Sequence, residues 1–519
     1  MISNSKELNG SSSHEKSGIS HYRKFLNELR SRASRLWEAL CLTPTPNTVE
    51  LLAEHMIIRE SLLEIEMMQK TFSSSLEIDS SHSEQRKAAL ADFMQWADSV
   101  GISHRSVELT YNKDIDGFGL IASDHVTVGS DLLRVPRKAI FSLDQARKSS
   151  FLKDMIIRSM ENVALAMMLC CQKLIPGGQW QPYIKILPET FNTPLFFTVE
   201  QLKFLRPSPL FEESLLLYRN VSRQFVHFLL EIIRSDEFRH RKKKSREMSK
   251  LEPVYVNSPL TASNFTFNLY RWSVACVSTR INMIPSEVLK DSTGQPRMIP
   301  GLIPFLDMAN HGYTEGAFRE AVHFSDDLDC AEIIAVRDYK PSEPINIFYG
   351  WRSNRDFLLH NGFVPLEKNI RDIYKLKIGL PKSKREDVRM YLFHILGFPA
   401  ESTIFAFELG INEPYFHESL FRFAQIYVLD KVPSVAQQAE EAANSSDNIR
   451  KAWTFLHDRF VLLLRAYGKV IDPLEITDLQ ISTAPDAIRK SMIVRLKLSE
   501  IEILQKMKDF CKKQLLGTA

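Results

Sequence analysis

The period of the apolar positions changes several times along this 519-residue chain, and each change predicts a change of element. Phe25, Leu29, Ala33, Leu36 and Leu40 recur every three or four residues, as one buried helical face requires. Residues 51–68 repeat the pattern, and Thr43-Pro44-Thr45-Pro46 separates the two helices. This pair is expected to form a helical lead-in over 21–95, behind a disordered polar tail over 1–20 rich in Ser, Asn, His and charge. After Trp96 the pattern becomes β-rich. Val107-Glu108-Leu109 and Leu120-Ile121-Ala122 predict short strands around Gly117 and Gly119, and Leu132-Leu133-Arg134-Val135-Pro136 predicts a third that its proline ends.

Helical spacing returns over about 150–255, notably at 160–174 and 218–233. Strands follow at 321–324 and 331–336 around an acidic turn, Ser325-Asp326-Asp327, and Ile345-Asn346-Ile347-Phe348 alternates before Tyr349. Beyond about 370, one strand-like piece at 373–380 leads into helical stretches that include 449–467 and 488–507. The expected class is α+β. Two β-rich halves, together 96–365, are split by the helical insertion and followed by a mostly helical domain over 366–519.

Composition narrows the function classes. Hydrophobic content of 44% and charged content of 25% are ordinary for a globular protein. With 66 basic and 63 acidic residues, the net charge of +3 gives no reason to expect nucleic acid as a partner. The basic run 239–246 reads first as a solvated loop, with nuclear import, and so a nuclear fraction, or nucleic-acid binding as the alternative. Six cysteines are too few and too scattered for a disulfide framework, and adjacent Cys170 and Cys171 read as buried thiols. No C-x-x-C pair or His/Cys cluster suggests zinc, so no metal is expected. The longest apolar run, 163–171, is far short of a membrane span, and the polar N-terminus lacks the apolar core of a secretory signal. The chain reads as a reduced, intracellular, soluble protein.

Three separated motifs carry the candidate chemistry: Asp116-Gly117-Phe118-Gly119-Leu120, Asp307-Met308-Ala309-Asn310-His311 and Phe348-Tyr349-Gly350. Glycines let backbone approach a ligand closely, and an asparagine offers both donors and an acceptor. Together, in this order, the motifs resemble the SET domain, whose members move a methyl group from S-adenosylmethionine to a nitrogen of a protein side chain. The helical insertion and helical C-terminal domain resemble the Rubisco lysine-methyltransferase branch, over about residues 86–510. That resemblance implies a pseudoknotted SET domain, a C-terminal substrate-binding domain and a cofactor site that needs no metal. It places Asp116, Phe118, Asp307, Met308, Asn310 and His311 at the cofactor. Tyr349 is then catalytic and also lies against the cofactor, with its hydroxyl near the transferred methyl. Arg352, in Arg352-Ser353-Asn354, becomes a peptide contact, and Asn361, in Asn361-Gly362-Phe363, lies near the cofactor.

A subgroup of that branch, the actin-histidine methyltransferases of animals, is similar in further stretches. These are Trp180-Gln181-Pro182-Tyr183-Ile184, Tyr270-Arg271-Trp272-Ser273-Val274 and Thr279-Arg280 with Asn282. The likeness implies that Arg280 and Arg86 contact the cofactor and that Asn282 is catalytic, binding one ring nitrogen of a substrate histidine. It also implies actin as protein partner and a mainly cytoplasmic monomer. Leu306 stands where the subgroup has a tryptophan, which removes an aromatic wall and an indole donor from the acceptor side. Histidine is the expected acceptor. Lysine methylation is the alternative, and a catalytically weak binding module is a third reading.

Overall fold

The computed structural model describes residues 8–72, 82–113, 116–148, 160–241, 253–312, 322–468 and 485–517. The chain folds as two compact units, Met1–Phe191 with Leu215–Tyr349, and Asn192–Ser214 with Gly350–Ala519. These bounds differ from the expected division at 365/366.

In the first unit, helices Leu8–Cys41 and Thr48–Lys70 turn Phe25, Leu29, Leu36, Leu51, Ile58 and Leu62 inward, as their spacing predicts. The first helix starts at Leu8, so residues 8–20 are helical rather than a disordered tail. Extending a helix from a packed segment costs far less than nucleating one. Tyr22 donates to Asp236 at 2.8 Å and Arg219 to Glu54 at 2.8 Å, tying the pair to the long helix Leu210–Arg239. Arg239, expected in a solvated loop, donates instead to the carbonyls of Val256, Leu260 and Ser258. Residues 242–246 of that run lie outside the described residues.

The strands of this unit are β1 (Val107–Asn112), β2 (Gly117–Ala122), β3 (Asp131–Pro136), β4 (Phe141–Ser142), β5 (Asn282–Lys290), β6 (Pro296–Leu302), β7 (Val322–Ser325), β8 (Cys330–Ile334) and β9 (Pro344–Ile345). They form small three-stranded sheets, β1-β2-β9, β3-β8-β7 and β4-β6-β5, whose ladders are antiparallel. Helices Glu161–Lys173 and Phe267–Arg280 pack together, and the first also packs on β6. Cys170 and Cys171 are unpaired and buried, as expected, and burial pushes the Cys170 thiol up to about 12.

The second unit sets an antiparallel ribbon, β10 (Ile373–Gly379) and β11 (Ile404–Gly410), against an aromatic core of Phe393, Phe405, Phe407 and Phe423. Helices Ser446–Tyr467 and Pro485–Gly517 complete that core. The first matches the expected 449–467, and the second extends the expected 488–507 at both ends.

Candidate cofactor and acceptor site

Strand β2 carries the first motif, and short irregular segments of the same unit carry the second and, up to Tyr349, the third. Asp116 turns the chain into β2 with a positive φ of 44°, and its carboxylate accepts from the hydroxyl of Tyr111. The Asp116 carbonyl accepts from Arg86 Nη1 at 2.9 Å, and the Arg86 guanidinium covers the Phe118 ring at 5.3 Å. On β2, the Phe118 carbonyl accepts from Nδ2 of Asn310 at 3.3 Å. A β-carbon on Gly119 would lie 2.9 Å from that same amide nitrogen. Glycine is therefore the residue that lets the first and second motifs meet.

The second motif leaves β6 through a strained turn. Phe305 has φ 74° and ψ −55°, a conformation that costs a non-glycine residue about 1–3 kcal/mol and survives only where packing enforces it. Here the Phe305 ring is fully buried and stacks on His104 at 4.9 Å. The turn Leu306–Met308 follows, with Asp307 facing Arg280 at the end of its helix. Arg280 Nη1 donates to the Asp307 carbonyl at 2.8 Å and lies 3.5 Å from its Oδ1 and 3.3 Å from Sδ of Met308. Burial pushes the Asp307 carboxyl up to about 6, although Arg280 and a hydrogen bond from Tyr183 favour its ionised form. Burial alone would lower the pKa of Arg280, but Asp307 first, then Tyr183 and other groups, outweigh it, and the guanidinium stays charged.

The third motif pairs with the second in parallel. Ile347 N–H donates to Asn310 O at 2.9 Å, Gly312 N–H donates to Ile347 O at 3.2 Å, and His311 bridges Ile347. Tyr349 is thereby held from two directions. Its backbone N–H donates to Nδ1 of His311 at 3.3 Å, and its hydroxyl donates to the Ala309 carbonyl at 2.7 Å. Asn282 opens β5 two residues beyond Arg280, and its Nδ2 donates to the Arg280 carbonyl at 3.0 Å. Since a carbonyl only accepts, the nitrogen of the amide must face it, which leaves Oδ1 as an acceptor.

The structure thus brings Arg86, Asp116, Phe118, Arg280, Asn282, Leu306, Asp307, Met308, Asn310, His311 and Tyr349 into linked segments of one unit. Leu306 is fully buried. Arg352 and Asn361 belong to the second unit, where Arg352 Nη1 donates to Asn361 Oδ1 at 2.6 Å. Sequence reasoning assigned no role to Phe305, Gly312 or Tyr183. A positive φ at a phenylalanine leaves no mark in sequence, whereas Gly312, directly after Asn310-His311, was a visible signal of close backbone approach.

S-adenosylmethionine presents a carboxylate, an amine, a sulfonium and an adenosine, and the residues fit such a group. Nε of Arg280 and Nη2 of Arg86 are buried with no acceptor among the described residues. Burial and the neighbouring charge of Arg280 both pull the pKa of Arg86 down, so an anion here would relieve two guanidiniums. Beside them, Gly119 leaves the β2 backbone bare of a side chain. Among the described residues, no group of three His, Cys, Asp or Glu side chains could hold a metal ion.

No protein-family model matches the chain. Solved structures share its fold, two of them as follows. The SET domain of LSMT bound to lysine and AdoHcy has a TM-score of 0.64 and 16% identity, covering 83% of this chain and 92% of that one. Rubisco LSMT bound to AdoMet has a TM-score of 0.61 at 16% identity, covering 83% and 93%. Relatives by sequence extend the likeness. The actin-histidine N-methyltransferase of Homo sapiens is 31% identical over 487 residues, 90% of this chain and 74% of the relative. Its counterpart in Dasypus novemcinctus is 31% identical over 503 residues, covering 92% and 77%. The chain belongs to the actin-histidine N-methyltransferase family of SET-domain proteins.

Proposed function

We propose that the chain methylates Nε2 of a histidine in actin, with S-adenosylmethionine as donor. The observation that carries the acceptor choice is the amide of Asn282, oriented by the Arg280 carbonyl so that Oδ1 accepts. An imidazole donating Nδ1–H to that oxygen keeps its Nε2 lone pair free for attack. Imidazole, with a pKa near ~6.5, is largely neutral at cytosolic pH, whereas lysine near ~10.4 must first lose a proton. The site therefore has to orient its acceptor rather than deprotonate it. The Tyr349 hydroxyl is fixed on the carbonyl of Ala309, the residue before Asn310. Arg280 and Arg86 supply the guanidiniums that suit a carboxylate. When bound, S-adenosylmethionine supplies a methyl on a sulfonium, whose S–C bond breaks as the N–C bond forms, leaving S-adenosylhomocysteine. Positioning of this kind can supply much of the rate gain.

Arg352 is proposed as a peptide contact and Asn361 as a cofactor neighbour, following the resemblance of their motifs. The relatives' actin-directed name supports a protein as substrate, and the balanced charge gives no reason to expect a nucleic acid; a cytoplasmic monomer is proposed from the resemblance alone. Leu306, in place of tryptophan, leaves the acceptor open to the second reading, lysine methylation. The purified chain, labelled S-adenosylmethionine and an actin peptide decide between them, with mass spectrometry locating the methyl. Methyl on histidine that is lost when the histidine becomes alanine supports the proposal. Methyl on lysine alone would overturn the acceptor, and no transfer would overturn the reaction.

A further inference from the structure

We propose that Tyr183 is a positioning residue that sets cofactor affinity through Asp307 and Arg280, an inference that rests on the methyltransferase reading above. Tyr183 sits in the short helix Gln181–Ile186, fully buried beside Phe93. A phenylalanine would fill the same volume, and a buried hydroxyl costs stability unless it is bonded. This hydroxyl has one hydrogen-bond partner among the described residues, Oδ2 of Asp307. The bond anchors one carboxylate oxygen and leaves Oδ1 on the side of Arg280 Nη1, 3.5 Å away. Arg280 in turn keeps Nε buried and, among the described residues, without an acceptor. The three side chains come from the Gln181–Ile186 helix, the end of the Phe267–Arg280 helix and the Leu306–Met308 turn, so the phenol ties the donor arginine to the strained second motif.

The arrangement has a pH signature. Asp307 is faced by Arg280, Tyr183 and Cys276, and burial keeps the Tyr183 and Cys276 protons on. The phenol bond favours the ionised carboxylate, so its loss makes Asp307 take up a proton at higher pH. Arg280 then loses its counter-charge at a pH where the wild-type chain still holds it.

The test compares wild-type, Tyr183→Phe and Asp307→Asn by S-adenosylmethionine titration calorimetry from pH 5 to 8, with unfolding midpoints as the fold control. Tyr183→Phe should weaken binding about tenfold to a hundredfold, the worth of one hydrogen bond to a charged group. Its acid limb should move to higher pH, and kcat at saturating donor should stay within about twofold. Asp307→Asn should lose the limb, and adding Tyr183→Phe to it should change affinity by less than about twofold. A limb that persists in Asp307→Asn would overturn the inference without needing the tyrosine variant. So would a Tyr183→Phe effect of equal size in both backgrounds. A wild-type chain that binds no S-adenosylmethionine would sink the functional reading itself, an outcome distinct from either.

Discussion

A β-carbon added to Gly312 would lie 2.7 Å from the β-carbon of Asn346. Both residues sit where the second and third motifs pair in parallel, and Gly312 N–H holds that pairing through Ile347 O at 3.2 Å. Because the clash is with a β-carbon, side-chain rotation cannot relieve it. Gly312→Ala should therefore push the motifs apart, at a cost of about 1–3 kcal/mol typical of overpacking. Urea unfolding should show that loss, and methylation should fall with it. Adding Asn346→Gly removes the opposing carbon and should restore part of both; no recovery would show that the contact is not what makes Gly312 necessary.

Arg280→Lys tests the donor side. The guanidinium reaches the Asp307 carbonyl and carboxylate together, and Nε remains for a ligand. A lysine ammonium keeps the charge but cannot reproduce that fork. S-adenosylmethionine affinity should drop about tenfold or more, the equivalent of about 1.4–3 kcal/mol for a charge-assisted hydrogen bond. Calorimetry giving unchanged affinity would remove Arg280 from the cofactor site.

Asn282→Ala tests the acceptor side separately. Its amide donates to Arg280 O, so the free Oδ1 is a group that substrate could use without touching the donor. Turnover on an actin peptide should fall about tenfold to a hundredfold as acceptor orientation is lost. S-adenosylmethionine affinity, measured without peptide, should stay within about threefold, since the deleted acceptor is not part of the donor contact. Equal losses in both would mean that Asn282 only caps the helix before it.

Local alternation and helical spacing made the strands near 107–136 and the long helices legible. The misses share a physical cause. In β11 the buried side is Phe405, Phe407 and Leu409, but the outward Ile404 and Ala406 are apolar too, which hid the alternation. The β5–β6 hairpin carries Pro285, Pro296 and Pro300, residues that ordinarily argue against a strand. Of 345–348, Ile345 pairs in the ladder with β2 and Ile347 makes an isolated parallel bridge, because the chain there pairs with the second motif rather than a strand. The motif residues were readable because their types are chemically rare in such combinations. Tyr183 was not, since a buried tyrosine looks like core until its one hydrogen bond is seen.

In the second unit, Glu500 accepts from Ser208 Oγ at 2.7 Å and from the Tyr467 hydroxyl at 2.9 Å. Burial pushes its carboxyl from 4.5 up to about 8; Ser208, Tyr467 and Lys497 pull it down, and Asp372 raises it further. A folded pKa above the unfolded one means that folding takes up a proton. The stabilisation is then complete below the unfolded value near 4.5 and is lost as pH rises through about 8. Above that pH the unit must hold a buried carboxylate beside Asp372, at a cost on the order of a few kcal/mol. The thermal unfolding midpoint should fall between pH 6 and pH 9, where most other carboxylates have finished titrating. Glu500→Gln keeps an acceptor but cannot ionise, so its midpoint should stay nearly level across that window. A wild-type profile as flat as the variant's would mean that Glu500 is already ionised at pH 6.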